Sequence, residues 1–262
     1  MKTLVVQSAA DRRPEWMERC LSSVQSWAAH AQYEYRFLGD ELFDFVPDWY
    51  LTKCGDKLPV AADLARLVWT QRLLQDNVAD CVIWLDADVL VFAPQLRIAP
   101  QTTCLFGYEL WVQPKRGKSG FEVRGNVHNA AAAFRQDCPI LPFLIEVIQR
   151  LMRRADPEHI APQMMGPKLL SHLHNLVDFE LTHAIGAVSP ALHRDLADGS
   201  GAALQAWGQR VQEPLLAANL AASTASEVAA TAVEVDACLH KVIDALSLCV
   251  GGFAGATSLV KS

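Results

Sequence analysis

Two acids, Asp86 and Asp88, stand two residues apart directly after the unbroken apolar run Cys81-Val82-Ile83-Trp84-Leu85. An Asp-x-Asp triplet alone says little, because about one is expected by chance in a chain of ordinary composition. Its position says more. An apolar run of that length without alternation reads as a central strand covered on both faces, and ligand sites in open α/β sheets gather at the carboxyl ends of strands. In extended chain the two carboxylates point the same way and Ala87 points opposite, so both acids are expected in one cleft. Desolvated neighbouring carboxylates repel, and a hard divalent cation, Mg²⁺ or Mn²⁺, relieves the repulsion while leaving positions open for phosphate oxygens. Such an ion neutralises charge growing on a departing nucleoside diphosphate. The competing reading makes the pair a turn or helix cap. On the cation reading, Asp88→Ala relieves repulsion and is expected to leave the fold no less stable.

The elements that position these acids are legible on both sides. Thr3 to Val6 is a short β-branched strand running into Gln7. From Glu15 to His30, apolar Trp16, Met17, Cys20, Leu21, Val24 and Trp27 recur at helical spacing. Tyr33 to Leu38 is a second strand, so the chain opens with a βαβ unit and predicts an α/β fold with a mostly parallel sheet. A helix follows Pro59, with Leu64, Leu67, Val68, Leu73 and Leu74 on one face. After the acids, Cys104 to Val112 reads as a strand, Ala130 to Phe134 as a strand or short helix, Leu141 to Met152 as a helix, and Gly166-Pro167 as the start of another. Beyond about 200 the chain turns Ala-, Leu- and Val-rich, which predicts a helical C-terminal extension over 200–262 attached to a catalytic domain over 1–199.

Several of these segments, in order and spacing, resemble one family. It is the Asp-x-Asp-containing glycosyltransferase group that includes yeast initiating mannosyltransferases and bacterial capsular polysaccharide enzymes. The segments are Leu4-Val5-Val6-Gln7, Tyr33-Glu34-Tyr35-Arg36-Phe37-Leu38-Gly39-Asp40, Ala61-Ala62-Asp63-Leu64-Ala65-Arg66, then Asp86 and Asp88 about twenty residues on, Asn129-Ala130 and Gly166-Pro167. The resemblance spans roughly residues 1–195. It implies a GT-A fold, Rossmann-like, and transfer of a sugar from a UDP- or GDP-linked donor to a carbohydrate or glycan acceptor with retention. It also implies that Gln7, Asp63, Arg66, Asp86, Asn129 and Gly166 bind the nucleotide-sugar and that Asp86 and Asp88 hold the metal. No catalytic base is indicated. Two places depart from the pattern: Val78-Ala79-Asp80-Cys81 replaces a Gly-Gly-x-Tyr turn, and Gln205, near Trp207, stands where such enzymes place a metal-binding His. His183 and His193 are the candidates to fill that vacancy.

The remaining features are weaker. Asp63 and Arg66, three apart, share a helix face and would otherwise be an i,i+3 ion pair. Lys118-Ser119 after Gly117 lacks the earlier glycine of a phosphate loop, since Val112 stands there, and reads as a lid or a plain surface loop. His159, His172 and His174 read as surface or packing residues. A haloacid-dehalogenase-like phosphatase using Asp86 as nucleophile is the poorer alternative, because Val89-Leu90 follows the acids and about 85 residues precede them. A non-catalytic sugar-nucleotide-binding homologue is the other. A net charge of −6 argues against a basic nucleic-acid-binding face. Seven scattered cysteines without a CxxC pair read as buried free thiols of a cytoplasmic protein. The uncharged run Ala245 to Val260 is short for a membrane span but allows peripheral membrane association.

Overall fold

A computed structural model describes residues 1–227 and 231–255. The chain folds as an α/β protein with a mixed, mostly parallel six-stranded sheet. Strand β1 (Thr3–Ser8) pairs in parallel with β2 (Glu34–Leu38) on one side and β3 (Cys81–Leu85) on the other. Helix α1 (Glu15–His30) makes the first crossover. It starts after Pro14, carries Glu15 and Glu18 in its first turn and His30 in its last, the charge order a helix dipole favours. Strand β6 (Phe121–Arg135) runs antiparallel between β3 and β5 (Cys104–Pro114), and β7 (Glu180–Thr182) closes the far edge parallel to β5. Five strands therefore point one way and β6 against them.

β3 is buried at every residue, and its two faces belong to different clusters. Ile83 and Leu85, with Val5, pack on Val24, Trp27 and Ala28 of α1. Val82 and Trp84, with Leu4 and Val6, pack on Leu64, Leu67 and Trp69 of the long helix α3 (Leu58–Gln75), which follows the short α2 (Asp48–Cys54). Helix α4 (Ile140–Arg154) covers the same face through Leu141, Leu144 and Ile148. Opposite β3, β6 offers Ala131, Ala132 and Ala133, so its own side chains take little room beside Trp84. The β5–β6 hairpin turns at 115–120, where Gly117 and Gly120 sit at φ +66° and +90°, backbone that only glycine adopts without strain.

Residues after 200, expected as a helical extension, hold a strand as well as helices. Helices α7 (Ala202–Gly208) and α8 (Ala232–Ser247) are present, but β9 (Ala217–Asn219) lies between them. It is the middle strand of a second sheet, flanked by β4 (Val89–Val91) and β8 (Ile185–Ala187). Together with α6 (Pro190–Ala197), α7 and α8 share a core with Trp16, Leu90 and Val112. Burial of those apolar faces, not alanine's helix preference, decides the conformation of Ala217-Ala218. Among the described residues no helix is long and apolar enough to cross a membrane; of the run Ala245 to Val260, residues from 256 on lie outside them. None of the seven cysteines forms a disulfide among the described residues, and all but Cys238 are buried.

Candidate functional site

β3 ends at Leu85 and the chain turns at once: Val89 N–H donates to the Asp86 carbonyl at 3.0 Å. Asp86 and Asp88 thus meet in one cleft through a turn and not, as the alternation argument had it, along extended strand. The cleft encloses about 400 Å³ and takes Asp63, Arg66, Asp86, Asp88 and Asn129 into its wall, so five of the seven sequence candidates come together. The Asp86 backbone is fixed from behind. Its N–H donates to Ala130 at 2.8 Å, and its carbonyl accepts from the Gln7 amide at 3.1 Å. Tyr35 donates its hydroxyl to the Gln7 side-chain amide oxygen Oε1 at 3.1 Å.

This corrects the expectation for Gln7. It is fully buried and stands outside the cleft wall, holding the β3 terminus in place. Gly166 is likewise behind the wall. A side chain there would meet Asn129 Nδ2 at 2.8 Å and Asp63 Oδ2 at 2.9 Å, so the glycine lets the start of α5 (Pro167–Leu173) approach the buried acid.

A buried charge chain runs along this side. Asp63 and Arg66 lie on α3, 6% and 9% exposed in their side chains, and pair at 3.1 Å; the pair is in the interior, not on the surface. Arg66 continues to Asp86 Oδ1 at 2.7 Å and donates to the carbonyls of Asn129 and Ala62 at 3.1 and 3.2 Å. The Trp84 ring lies 5.2 Å from the guanidinium, and its indole N–H donates to the same Asp86 oxygen at 2.6 Å. Asn129 donates to Asp63 at 2.7 Å. Burial pushes the Asp63 carboxyl up to about 6, against the pull of Arg66 and Asn129. One guanidinium thus shares two acids, and Asp63 is incompletely compensated.

Asp88 is tied to the C-terminal part of the chain. Its carboxylate accepts from Asn219 Nδ2 at 2.7 Å and from Ala222 N–H at 3.0 Å, and its carbonyl accepts from Leu220 at 2.9 Å. Burial first, and then the charge of Asp86, push its carboxyl above the usual carboxylate range. Asp88 therefore does cap a turn, that of residues 219–222, and Asp88→Ala would orphan two donors, which weighs against the expected indifference of the fold.

Among the described residues no cluster of three or more His, Cys, Asp or Glu could cage a metal by itself. A two-carboxylate edge is nevertheless what Mg²⁺-type ions use when phosphate and water complete the shell. Each carboxylate oxygen has two lone-pair directions, so the single bonds on the Asp88 oxygens leave room, and a cation would offset both the burial and the Asp86 charge that raise Asp88. The donor set fits a hard divalent ion bound together with a ligand's oxygens. The candidate third ligands do not join it: Gln205 lies on α7 away from the cleft wall. His183 faces Tyr108 at 4.7 Å beside a separate cavity of about 110 Å³, and His193 is fully buried in α6. Asn219 is the side chain that meets Asp88. The 115–120 loop is the exposed hairpin tip and also stays out.

Sequence reasoning missed the opposite wall. Glu109 and Trp111 of β5, Asn126 and His128 of β6, and Lys168 and His172 of α5 face the same space. The alternation of β5 and β6 carried the signal, since residues two apart share a face.

No protein-family model and no curated protein matches the chain. Several solved structures bear a distant likeness to the chain. One is a glycosyltransferase involved in glycosylation of the major capsid of PBCV-1, at 10% identity and TM-score 0.48, covering 92% of this chain and all of that one. Another is a mannose-1-phosphate geranyltransferase from Thermus thermophilus, at 14% identity and TM-score 0.31, covering 60% and 66%. A Drosophila beta-1,4-galactosyltransferase 7 solved with manganese, UDP-Gal and xylobiose has 11% identity and TM-score 0.30, covering 67% and 74%. Likenesses this distant leave function to the cleft itself.

Proposed function

We propose that this protein is a metal-dependent glycosyltransferase of the GT-A type, moving a sugar from a UDP- or GDP-linked donor to a carbohydrate or glycan acceptor. The observation that carries it is the meeting of Asp86 and Asp88 at the end of a central strand, in a cleft large enough for a ligand. When bound there, Mn²⁺ or Mg²⁺ would neutralise charge on the leaving diphosphate.

The chain's own groups do the positioning. Gln7 and the Ala130 carbonyl fix the Asp86 backbone, Arg66 and Trp84 orient its carboxylate, and Asn219 with Ala222 orient that of Asp88. Asp63 and Asn129 hold Arg66 and present polar groups suited to ribose or sugar hydroxyls. Lys168, also on the wall, adds a cation suited to a diphosphate.

The test is release of nucleoside diphosphate from UDP-glucose, UDP-galactose, UDP-N-acetylglucosamine and GDP-mannose, with Mn²⁺ and with a chelator. Manganese-dependent release or binding of UDP or GDP, lost in Asp88→Asn, is the expected result. Absence of binding to both nucleotides in the presence of Mn²⁺ overturns the proposal. The retention that the resemblance implies is read from the anomeric proton of the product.

A further inference from the structure

The wall opposite the acids has an unexplained feature. His128 is 3% exposed, yet it lines the cleft. Its Nε2 lies 2.9 Å from the Ile185 carbonyl, a group that only accepts, so the ring proton is assigned to Nε2. Nδ1 is then a lone-pair acceptor, and it has no partner among the described residues. A buried acceptor left unpaired costs about 1–3 kcal/mol. The ring is also held deliberately: a side chain at Gly107, its cross-strand neighbour, would come within 2.2 Å of it, and the β5–β6 register shifts just there, between Phe106 and Gly107.

The register places other groups on the same face of the sheet. Gly107 lies opposite His128 and Glu109 opposite Asn126, so Glu109 and Trp111 share the face of Asn126 and His128. Glu109 accepts from Asn126 Nδ2 at 3.3 Å, and burial raises its carboxyl. Trp111 is half-buried and brings an aromatic ring to the wall. Two acceptors beside one aromatic ring suit a ligand with adjacent hydroxyl donors and an apolar ring face, which describes a pyranose. A phosphate, lacking donors when ionised, does not suit it.

We infer that the β5–β6 wall is a sugar subsite, in which His128 Nδ1 and Glu109 each accept a hydrogen bond from a sugar hydroxyl and Trp111 stacks on the ring. The inference rests on the transferase reading, which places the nucleoside diphosphate on the acidic wall. The sugar could come from the donor or the acceptor, and titration calorimetry in Mn²⁺ separates them. Wild type, Glu109→Gln, Trp111→Ala and His128→Phe are each titrated with UDP and GDP alone. They are then titrated with UDP-glucose, UDP-galactose and GDP-mannose, and finally, when saturated with nucleoside diphosphate, with the methyl glycosides of the same sugars.

Losing one hydroxyl contact or the stacking ring weakens a sugar-bearing ligand about tenfold, while UDP or GDP alone binds within about twofold of wild type. Weakening confined to the sugar nucleotides assigns the donor sugar, and weakening confined to the glycosides assigns the acceptor; either supports the subsite. Trp111→Ala and Glu109→Gln alter half-buried positions and keep the test decisive if His128→Phe fails to fold. Unchanged sugar affinity in both, or equal loss for nucleotide alone, overturns the subsite while leaving the acidic wall standing. Failure of wild type to bind UDP or GDP removes the underlying reading and the subsite with it.

Discussion

Replacing Arg66 by methionine removes the one cation shared by Asp63 and Asp86, and the structure sets the size and pH dependence of the loss. Asp63 titrates at about 6 in the fold against an ordinary 3.8. Its folded pKa is the higher one, so the fold holds the extra proton, and stability falls as pH rises from about 4 to about 6 and then levels. At about 1.4 kcal/mol per pH unit, the wild-type fold carries a penalty of roughly 3 kcal/mol from this side chain above that window. Without Arg66 the main group holding Asp63 down is gone. The carboxyl is then pushed up further, which deepens the penalty above that window. The carbonyls of Asn129 and Ala62 that lose their donor add about 1–2 kcal/mol. Near pH 8 the variant should therefore lose about 3–5 kcal/mol, the usual cost of breaking a buried pair. Near pH 5 Asp63 is mostly protonated in both proteins, and only about 1–2 kcal/mol should remain. Urea denaturation followed by far-UV circular dichroism at the two pH values measures this directly, and adding Asp63→Asn should restore most of the loss near pH 8. A cost below about 1 kcal/mol near pH 8, or one identical at both pH values, would refute the buried-chain account.

Three further outcomes follow from single contacts. Asp88→Ala should destabilise the metal-free protein by about 1–3 kcal/mol, because Asn219 Nδ2 and Ala222 N–H lose their acceptor; a melting temperature at or above wild type would show that relieved repulsion prevails. Gly166→Ala should cost about 1–3 kcal/mol by pressing on Asn129 and Asp63, and a thermal melt unchanged from wild type would contradict that packing. His193 titrates at about 4, pushed down from 6.5 chiefly by burial. Its folded pKa is the lower one, so it removes stability as pH falls from about 6.5 to about 4; His193→Leu should lessen acid sensitivity across that window, and an unaltered acid limb would count against a buried neutral imidazole.

What the sequence disclosed tracks the range of the forces involved. Helix α1 matches its expected bounds, Glu15–His30, because six apolar residues at helical spacing carry the signal within the segment itself. β3 matches because a strand covered on both faces must be apolar throughout. Asp63, Arg66, Asp86 and Asn129 converge because the first two sit one helical turn apart, Asp86 follows the end of β3, and Asn129 lies in the adjacent strand β6. The rest depended on contacts between distant residues. Asn219 reaches Asp88 across 131 positions, from a three-residue strand whose Ala-Ala-Asn composition carries no β signal of its own and which forms only because β4 and β8 flank it.

The same contrast explains how the cleft is built. Asp86 is secured from the N-terminal side, by Gln7 of β1 and Arg66 of α3, whereas Asp88 is secured from the C-terminal side, by Asn219 of β9 and Ala222. The two acids therefore reach one cleft only when both parts of the chain are in place. Burial first, and the charge of Asp86 second, raise the Asp88 carboxyl, so the folded chain already carries the cost of placing the pair there. On the transferase reading, a cation held by Asp86 and Asp88 would gain from acids the fold has positioned beforehand, which is preorganisation in the thermodynamic sense.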